Sequence, residues 1–302
     1  SGATSGIGVY TAQVLYRQGA CVYLACRNAE KTKQVIRQIQ DTVGEKRLEG
    51  GSLNFIRLDL NDLESVRECA KEFLQMGKVL DLLINNAGCV ALGLRFSKQG
   101  YEEMFQSNAL GHHLLIELLW NNLNSNPNGA RIVIVASLAH SFVSDADFFD
   151  KEQNTYTMGD RVIKPTKRFS TMNLLDTNKQ YGMSKLFNIY QTYHFNERIK
   201  NTPNCKVTIN CCHPGAISSQ LTREAPLYIN LLLGIPELLF FKNVKQGSQN
   251  TIHLACSPDV KSISGSYFDD CRPVNPSAVA NNKILQKSFI DFCEPICSQY
   301  SL

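Results

Sequence analysis

Three things are scarce in this sequence. Long apolar runs come first. The best stretch, Leu227 to Phe241, is fifteen residues long, carries Glu237 and is interrupted by Gly234 and Pro236. A helix that crosses a bilayer needs about twenty apolar residues, so this stretch reads as a substrate-side lid, as a surface for a membrane or partner, or as a buried helix pair. Charge of one sign is scarce too. The formal net charge is only +4, and the basic runs, such as Lys164 to Arg168, are short. A nucleic-acid partner would require a concentrated basic patch, so none is expected. Zinc-type CxxC pairs are absent, although the chain holds eleven cysteines. Most lie in apolar runs (Cys21, Cys26, Cys211, Cys212), where a thiol packs as a small hydrophobe. Cys293 and Cys297 share one face of a terminal turn. This odd, scattered set and the lack of a signal peptide point to reduced thiols and a cytosol-facing location.

What is present is an alternation. Of 302 residues, 43% are apolar and 19% charged, enough for one sizeable core. Strands are predicted at Cys21–Cys26, Leu53–Leu58, Leu80–Ile84, Arg131–Ser137 and Lys206–Cys212, all short apolar runs. Helices fall between them: one capped by Asn28 and running to Gln40, and one opened by a capping box at Asn61–Glu64 and ending before Gly77. Two more are predicted around Tyr101–Asn122 and Tyr181–Arg198. Short apolar strands separated by helices give a parallel sheet covered on both faces. No composition break marks a second domain. Ser144 to Lys179 is polar and aperiodic, and is expected to form a long surface excursion.

The chain opens on SGATSGIG, with Gly2, Gly6 and Gly8 in a GxxxGxG spacing. Glycines let a backbone turn tightly against a pyrophosphate, and the helix that follows offers free N–H groups and a positive dipole end. This loop, with Ile7 inside it, is the expected cofactor loop. An acidic residue normally ends the next strand and holds a ribose hydroxyl. Here Arg27 follows Cys26 instead. Its fork of donors suits a 2′-phosphate, so NADP(H) is favoured over NAD(H).

YGMSK places Tyr181 and Lys185 on one helix face. An ammonium near a phenol favours the phenolate and lowers its pKa, giving an acid–base group for a carbonyl–alcohol oxygen. Ser137 ends a strand at the carboxyl edge, where open α/β sheets bind ligands. NNAG (Asn85 to Gly88), Asn108 in SNALGHH and HPG (His213 to Gly215) complete the set.

In this order the motifs resemble those of the short-chain dehydrogenase/reductase superfamily over nearly the whole chain. The resemblance implies a single-domain Rossmann fold, an α/β doubly wound parallel sheet. It implies Tyr181 as the acid–base, with Lys185 tuning it and holding the nicotinamide ribose. Ser137 would position the substrate oxygen, and Asn108 would hold a proton-relay water. Asp59, Asn86, Ala87 and Gly88 would line the adenosine side, and Pro214, Gly215 and Ile217 the nicotinamide. VYLACRN, NALGHHLL, SLAHS, HPGAISSQL and GSYFDDCRPVNPSAVANN further resemble the microsomal retinol dehydrogenase subgroup. This implies NADP(H)-dependent interconversion of a lipophilic alcohol and its aldehyde or ketone, with steroids or other lipid carbonyls as the alternative. It also implies membrane-surface association at the endoplasmic reticulum through an N-terminal segment. An oligomer is left open.

There are departures. The strand that should precede the glycine loop is not in the sequence, so the chain is expected to be incomplete and the sheet to lack a middle strand, leaving two rows of unpaired backbone groups. Ser1 stands where the family pattern has Thr, and Ala136 where many relatives have a second Ser. Ser137 and Tyr181 lie forty-four positions apart, wider than usual, with the polar excursion between them. A substrate lid is expected at about 218–245. His112 and His113 are read as helix packing residues, His213 as structural, and no metal is expected. A non-catalytic NADP(H)-binding scaffold and an inactive truncated product remain the competing classes.

Overall fold

The computed structural model describes residues 1–91, 93–150, 155–156, 174–215 and 242–302. The elements are α1 (Gly6–Arg17), β1 (Cys21–Cys26), α2 (Ala29–Val43), β2 (Ser52–Arg57), α3 (Leu63–Gln75), β3 (Leu82–Asn85) and α4 (Glu103–Phe105). A π-turn (Gln106–Leu110) leads into α5 (Gly111–Asn124), followed by β4 (Arg131–Val135), β5 (Phe149–Asp150), β6 (Thr155–Tyr156), α6 (Leu174–Asn201) and β7 (Thr208–Cys212). The chain closes with α7 (Val244–Cys256), β8 (Ser266–Asp269), β9 (Arg272–Val274) and α8 (Lys283–Ser298).

The strands are short and branched because both of their faces are covered. In β4, Ile132 and Ile134 join the core formed with α3, α5, α6 and α8. Their neighbour Val133 turns the other way, to Leu254 of α7 and Phe268 of β8. Burying both faces drives the fold at roughly 25 cal/mol per Å² of apolar surface.

The parallel sheet comes in two pieces. β1 pairs with β2 in register from Cys21 opposite Ser52 to Cys26 opposite Arg57. The second piece runs β3-β4-β7-β8 in parallel and closes with antiparallel β9. β1 and β3 line opposite sides of a cavity of about 620 Å³, walled by Val22, Tyr23, Phe73, Leu82, Ile84 and Leu119. At one end the glycine loop joins the two pieces. The Ser1 nitrogen donates to Ile84 O at 2.8 Å, and Gly2 N donates to Ala25 O at 3.3 Å. The two strand edges expected to lack a common partner are these.

Several boundaries differ from the sequence expectations. Asp62, not Asn61, caps α3, accepting from Glu64 N at 3.2 Å. The Asn61 side chain instead donates to Glu103 Oε1 at 2.8 Å. The helix expected over 101–122 contains the π-turn. Helix α6 starts at Leu174, so the last residues of the expected excursion are helical. Lys179 Nζ donates to Asp147 Oδ1 at 2.7 Å and ties the excursion's two ends together. Most of the excursion and of the expected lid lies outside the described residues; the end of the lid range, from Val244, belongs to α7.

The cavity between β1 and β3 yields a test. Adding five apolar β-formers ahead of Ser1 should place an extended segment between the two edges. It should raise the thermal midpoint by about 5 °C or more, given the usual shift per kcal/mol in a chain of this size. An unchanged midpoint in a calorimetric scan would show that the cavity does not accept a strand.

Candidate active site

The glycine loop owes its shape to close backbone approaches. A Cβ on Gly2, whose φ is +68°, would lie 2.6 Å from Ala87 Cα, and one on Gly8 would lie 2.3 Å from Gly2 O. Gly2 and Gly8 therefore pack against each other and against NNAG. Gly6 differs. Its φ is +54° and a Cβ there would meet nothing within 4 Å, so it faces open space at the start of α1. The N-cap Ser5 makes no side-chain cap bond and the first turn carries no acidic residue. That leaves the helix N–H groups around Gly6, Ile7 and Gly8 available to an anion.

Ser1 does more than its place at the chain start suggests. Its hydroxyl accepts from Asn86 N at 3.1 Å and Ala87 N at 3.0 Å, and lies 2.9 Å from His112 Nε2. Asn86 Nδ2 returns bonds to Ser1 O and Gly2 O at 3.0 and 3.2 Å. The sequence reading noted Ser1 only as a departure, although a hydroxyl directly before Gly2 was the available signal.

Arg27 is exposed at the carboxyl end of β1 and forms no ion pair among the described residues. Asp59, half-buried at the end of β2, accepts from Asn61 N at 3.1 Å. Leu58 N donates to Cys26 O, which places Asp59 beside the start of Arg27. This edge, with the open cradle at Gly6, fits the adenosine and pyrophosphate parts of a dinucleotide.

At the centre of the edge, Ser137 caps the short 3₁₀ turn Leu138–Phe142 and accepts from Ala139 N at 3.2 Å. It also hydrogen-bonds the Tyr181 hydroxyl. Gly182 makes this approach feasible, since a Cβ there would sit 2.5 Å from Ala139 O. Lys185 is 3% exposed. Its Nζ donates to Val135 O at 2.9 Å and lies 5.7 Å from the Tyr181 ring centroid. A Cβ on Gly88 would lie 3.2 Å from that Nζ.

The electrostatics differ from the expected tuning. Burial pushes the Tyr181 phenol up to about 12, the Ser137 hydrogen bond pulls the other way, and Cys89 adds to the rise. Burial pushes Lys185 down to about 8. The ammonium spends a proton on Val135 O rather than on the phenol, so desolvation outweighs its attraction for a phenolate.

Asn108 sits where the π-turn meets α6 and the segment after NNAG. Within the π-turn its Oδ1 accepts from Cys89 N at 2.8 Å, and its Nδ2 donates to Cys89 O at 2.9 Å and Ser184 Oγ at 3.0 Å. Its main-chain oxygen accepts from Asn188 Nδ2 at 2.8 Å. With these groups engaged, the Asn108 side chain braces the segment after NNAG against α6. Pro214 and Gly215 follow β7 at the same edge. Gly215 N donates to His213 Nδ1 at 3.0 Å, while His213 Nε2 lies 2.9 Å from Asp269 Oδ1. His213 thus holds the turn, as the structural reading anticipated. Ile217 lies outside the described residues.

The structure therefore brings Ser137, Tyr181, Lys185, Asn108 and Gly88 to one edge, with the glycine loop beside them. The family model of the short chain dehydrogenases matches residues 1–145. Retinol dehydrogenase 12 of Mus musculus is 35% identical, over 94% of this chain and 80% of its own length. The chain belongs to the short-chain dehydrogenase/reductase family. Other relatives of this oxidoreductase bear different names. Short-chain dehydrogenase TIC 32 B, chloroplastic, of Brassica napus is 33% identical over 97% of this chain and 85% of its own. A solved structure of a protein from Mycobacterium Paratuberculosis superposes with a TM-score of 0.70 at 24% identity, covering 98% of this chain and 91% of its own. At that identity the likeness is one of fold. The family acts on CH–OH donors and their carbonyl products with NAD(P)(H).

The Lys185 environment carries a pH signature. Its folded pKa of about 8 lies below its ordinary 10.5. Below pH 8 the folded state bears the full cost of a buried ammonium. Between pH 8 and 10.5 the unfolded chain binds the extra proton, so stability contributed by this group rises with pH. Relative to Lys185→Met, the wild type should gain about 3 kcal/mol across that window. Urea unfolding of both proteins at pH 7.5 and 10.5 measures it, and parallel pH dependences would contradict the assignment.

Proposed function

We propose that this oxidoreductase is NADP(H)-dependent and reduces a lipophilic aldehyde or ketone of the retinal class to its alcohol. The observation that carries the substrate reading is the surface beside Ser137. Leu138 and Phe142, on the turn that Ser137 caps, are 56% and 63% exposed. Apolar side chains left open at the mouth of a polar catalytic cluster suit a greasy substrate. The names of the retinol dehydrogenase relatives point the same way. The exposed Arg27, with no carboxylate in its place, supports the 2′-phosphate of NADP(H).

When bound, NADPH supplies the hydride. Ser137 holds the carbonyl oxygen. Tyr181, a phenol pushed up to about 12 and therefore protonated at neutral pH, donates its proton to that oxygen as the carbon is reduced. Lys185, held near 8 and mostly charged at neutral pH, faces the resulting phenolate and the ribose side. Asn108 is a positioning residue that fixes Cys89 and so the end of NNAG. Glycine-loop N–H groups, Asp59, Asn86, Ala87, Gly88, Pro214 and Gly215 would hold the rest of the cofactor.

Among the described residues no helix is long and apolar enough to cross a membrane. The proposed location is the cytosol-facing surface of the endoplasmic reticulum, supported by the class of substrate.

The test is NADPH oxidation with all-trans-retinal, with NADH alongside. Tyr181→Phe is expected to lower kcat by about 10²-fold or more, the usual worth of a positioned acid. Arg27→Asp should lower kcat/KM for NADPH at least tenfold and spare NADH. Tight NADPH binding without turnover on retinal, steroids or other lipid carbonyls would instead mark a non-catalytic binding protein.

A further inference from the structure

His112 and His113 are adjacent, yet they face different layers. His112 Nε2 meets Ser1 Oγ, and its Nδ1 lies 3.2 Å from Asn108 O. His113 points away from the active site, toward α6. It is fully buried, and neither of its ring nitrogens has a hydrogen-bond partner. Buried polar nitrogens are rarely left so.

Two further side chains converge on it. Glu117 stands four residues on along α5, with Oε1 4.0 Å from His113 Nε2. His194 comes across from α6, its ring centroid 5.6 Å from that of His113. One ligand atom from each of the three residues lies within 4.8 Å of the others. They border a cavity of about 840 Å³, which Cys297 also lines. Helix periodicity explains the pairing, since residues four apart share a face. The sequence reading expected packing histidines and passed over the carboxylate at that spacing; His194 is distant in the chain and only the fold brings it in.

We propose that His113, Glu117 and His194 form a binding site for a divalent transition ion of the zinc class, bridging α5 and α6. Two imidazoles and a carboxylate are a common donor set for zinc with a fourth position open. In a tetrahedral site with metal–ligand bonds of about 2.1 Å, ligand atoms sit about 3.4 Å apart. The three atoms need to close by up to about 1.4 Å, within reach of side-chain rotation at the half-buried Glu117 and His194.

Glu117 is already oriented for this task. Its Oε2 accepts from Arg198 Nη1 at 2.6 Å, and the guanidinium is held 4.2 Å above the Trp120 ring. Oε1 is left toward His113. An outer partner that fixes one carboxylate oxygen and frees the other is the usual support for a ligating carboxylate. The ion would clamp two helices that both reach the active edge. α5 continues from the turn bearing Asn108, and His194 lies nine residues beyond Lys185, about 14 Å along α6. Its role is then to stabilise the fold rather than to act on substrate.

The test uses the full chain, stripped with a chelator and kept reduced. Zn²⁺ titrated against a competing dye should bind at one site per chain and raise the thermal midpoint. Glu117→Gln, which keeps a hydrogen-bond acceptor for Arg198, and His194→Ala should each weaken binding at least tenfold and abolish the midpoint shift. Co²⁺ in place of Zn²⁺ should show visible ligand-field bands that disappear in both variants. Wild-type affinity in both variants would overturn the proposal and assign the bound ion to cysteines elsewhere. No binding by the wild type would overturn it outright.

Discussion

Everything at the active edge hangs on the contact between the glycine loop and NNAG. Among the described residues the two pieces of sheet share no ladder, and the Ser1 hydroxyl, the Asn86 amide and the bare Cα atoms of Gly2 and Gly8 link them at this end. A Cβ at Gly8 would start 2.7 Å from Asn86 Nδ2, so the loop cannot move out without breaking that link. Ala87 and Gly88, pinned from one side by Ser1, are steadied from the other by Asn108 through Cys89. Lys185 then has a fixed floor beneath its ammonium. The cofactor cradle and the acid–base group are therefore one connected assembly.

Much of this was legible in the sequence because local chemistry determines it. β1 falls on the predicted residues, and Asn28 caps α2 by accepting from Lys31 N at 2.9 Å. NNAG, Ser137 and HPG reach one edge because each follows a parallel strand, and the π-turn and α6 bring Asn108, Tyr181 and Lys185 to it. Other features were hidden because they depend on neighbours distant in sequence. Asn61 is a good cap by type, yet Glu103 competes for it. The early start of α6 is obscured by a polar stretch with no periodicity. α7, β8, β9 and α8 come from a region with weaker patterning, and their places follow from packing against β7 and α6. The tuning of Tyr181 went against expectation because a spacing rule brings Lys185 near but says nothing of desolvation or of Val135 O.

Relatives named for retinol and a relative named for the chloroplast match most of this chain at similar identity. One sequence pattern thus carries names from different settings. The turn bearing Leu138 and Phe142 belongs to the surface beside the active edge, where a substrate would meet the protein. The conserved geometry of a core and the choice of substrate are separate physical problems.

The π-turn adds one more consequence. All five of its residues, Gln106 to Leu110, are buried, so this segment is walled on every side. A π-turn holds one more residue than an α-turn in nearly the same length. Removing a single residue here would let the helix close to ordinary pitch and leave α5 nearly in its present phase, because five residues of the wider turn sweep almost the same angle as four of an α-helix. His112 and Glu117 would keep their layers, while Asn108 would lose the widened position from which it reaches Cys89 and Ser184. One residue of surplus chain thus shapes the joint around Asn108 and spares the helix beyond it.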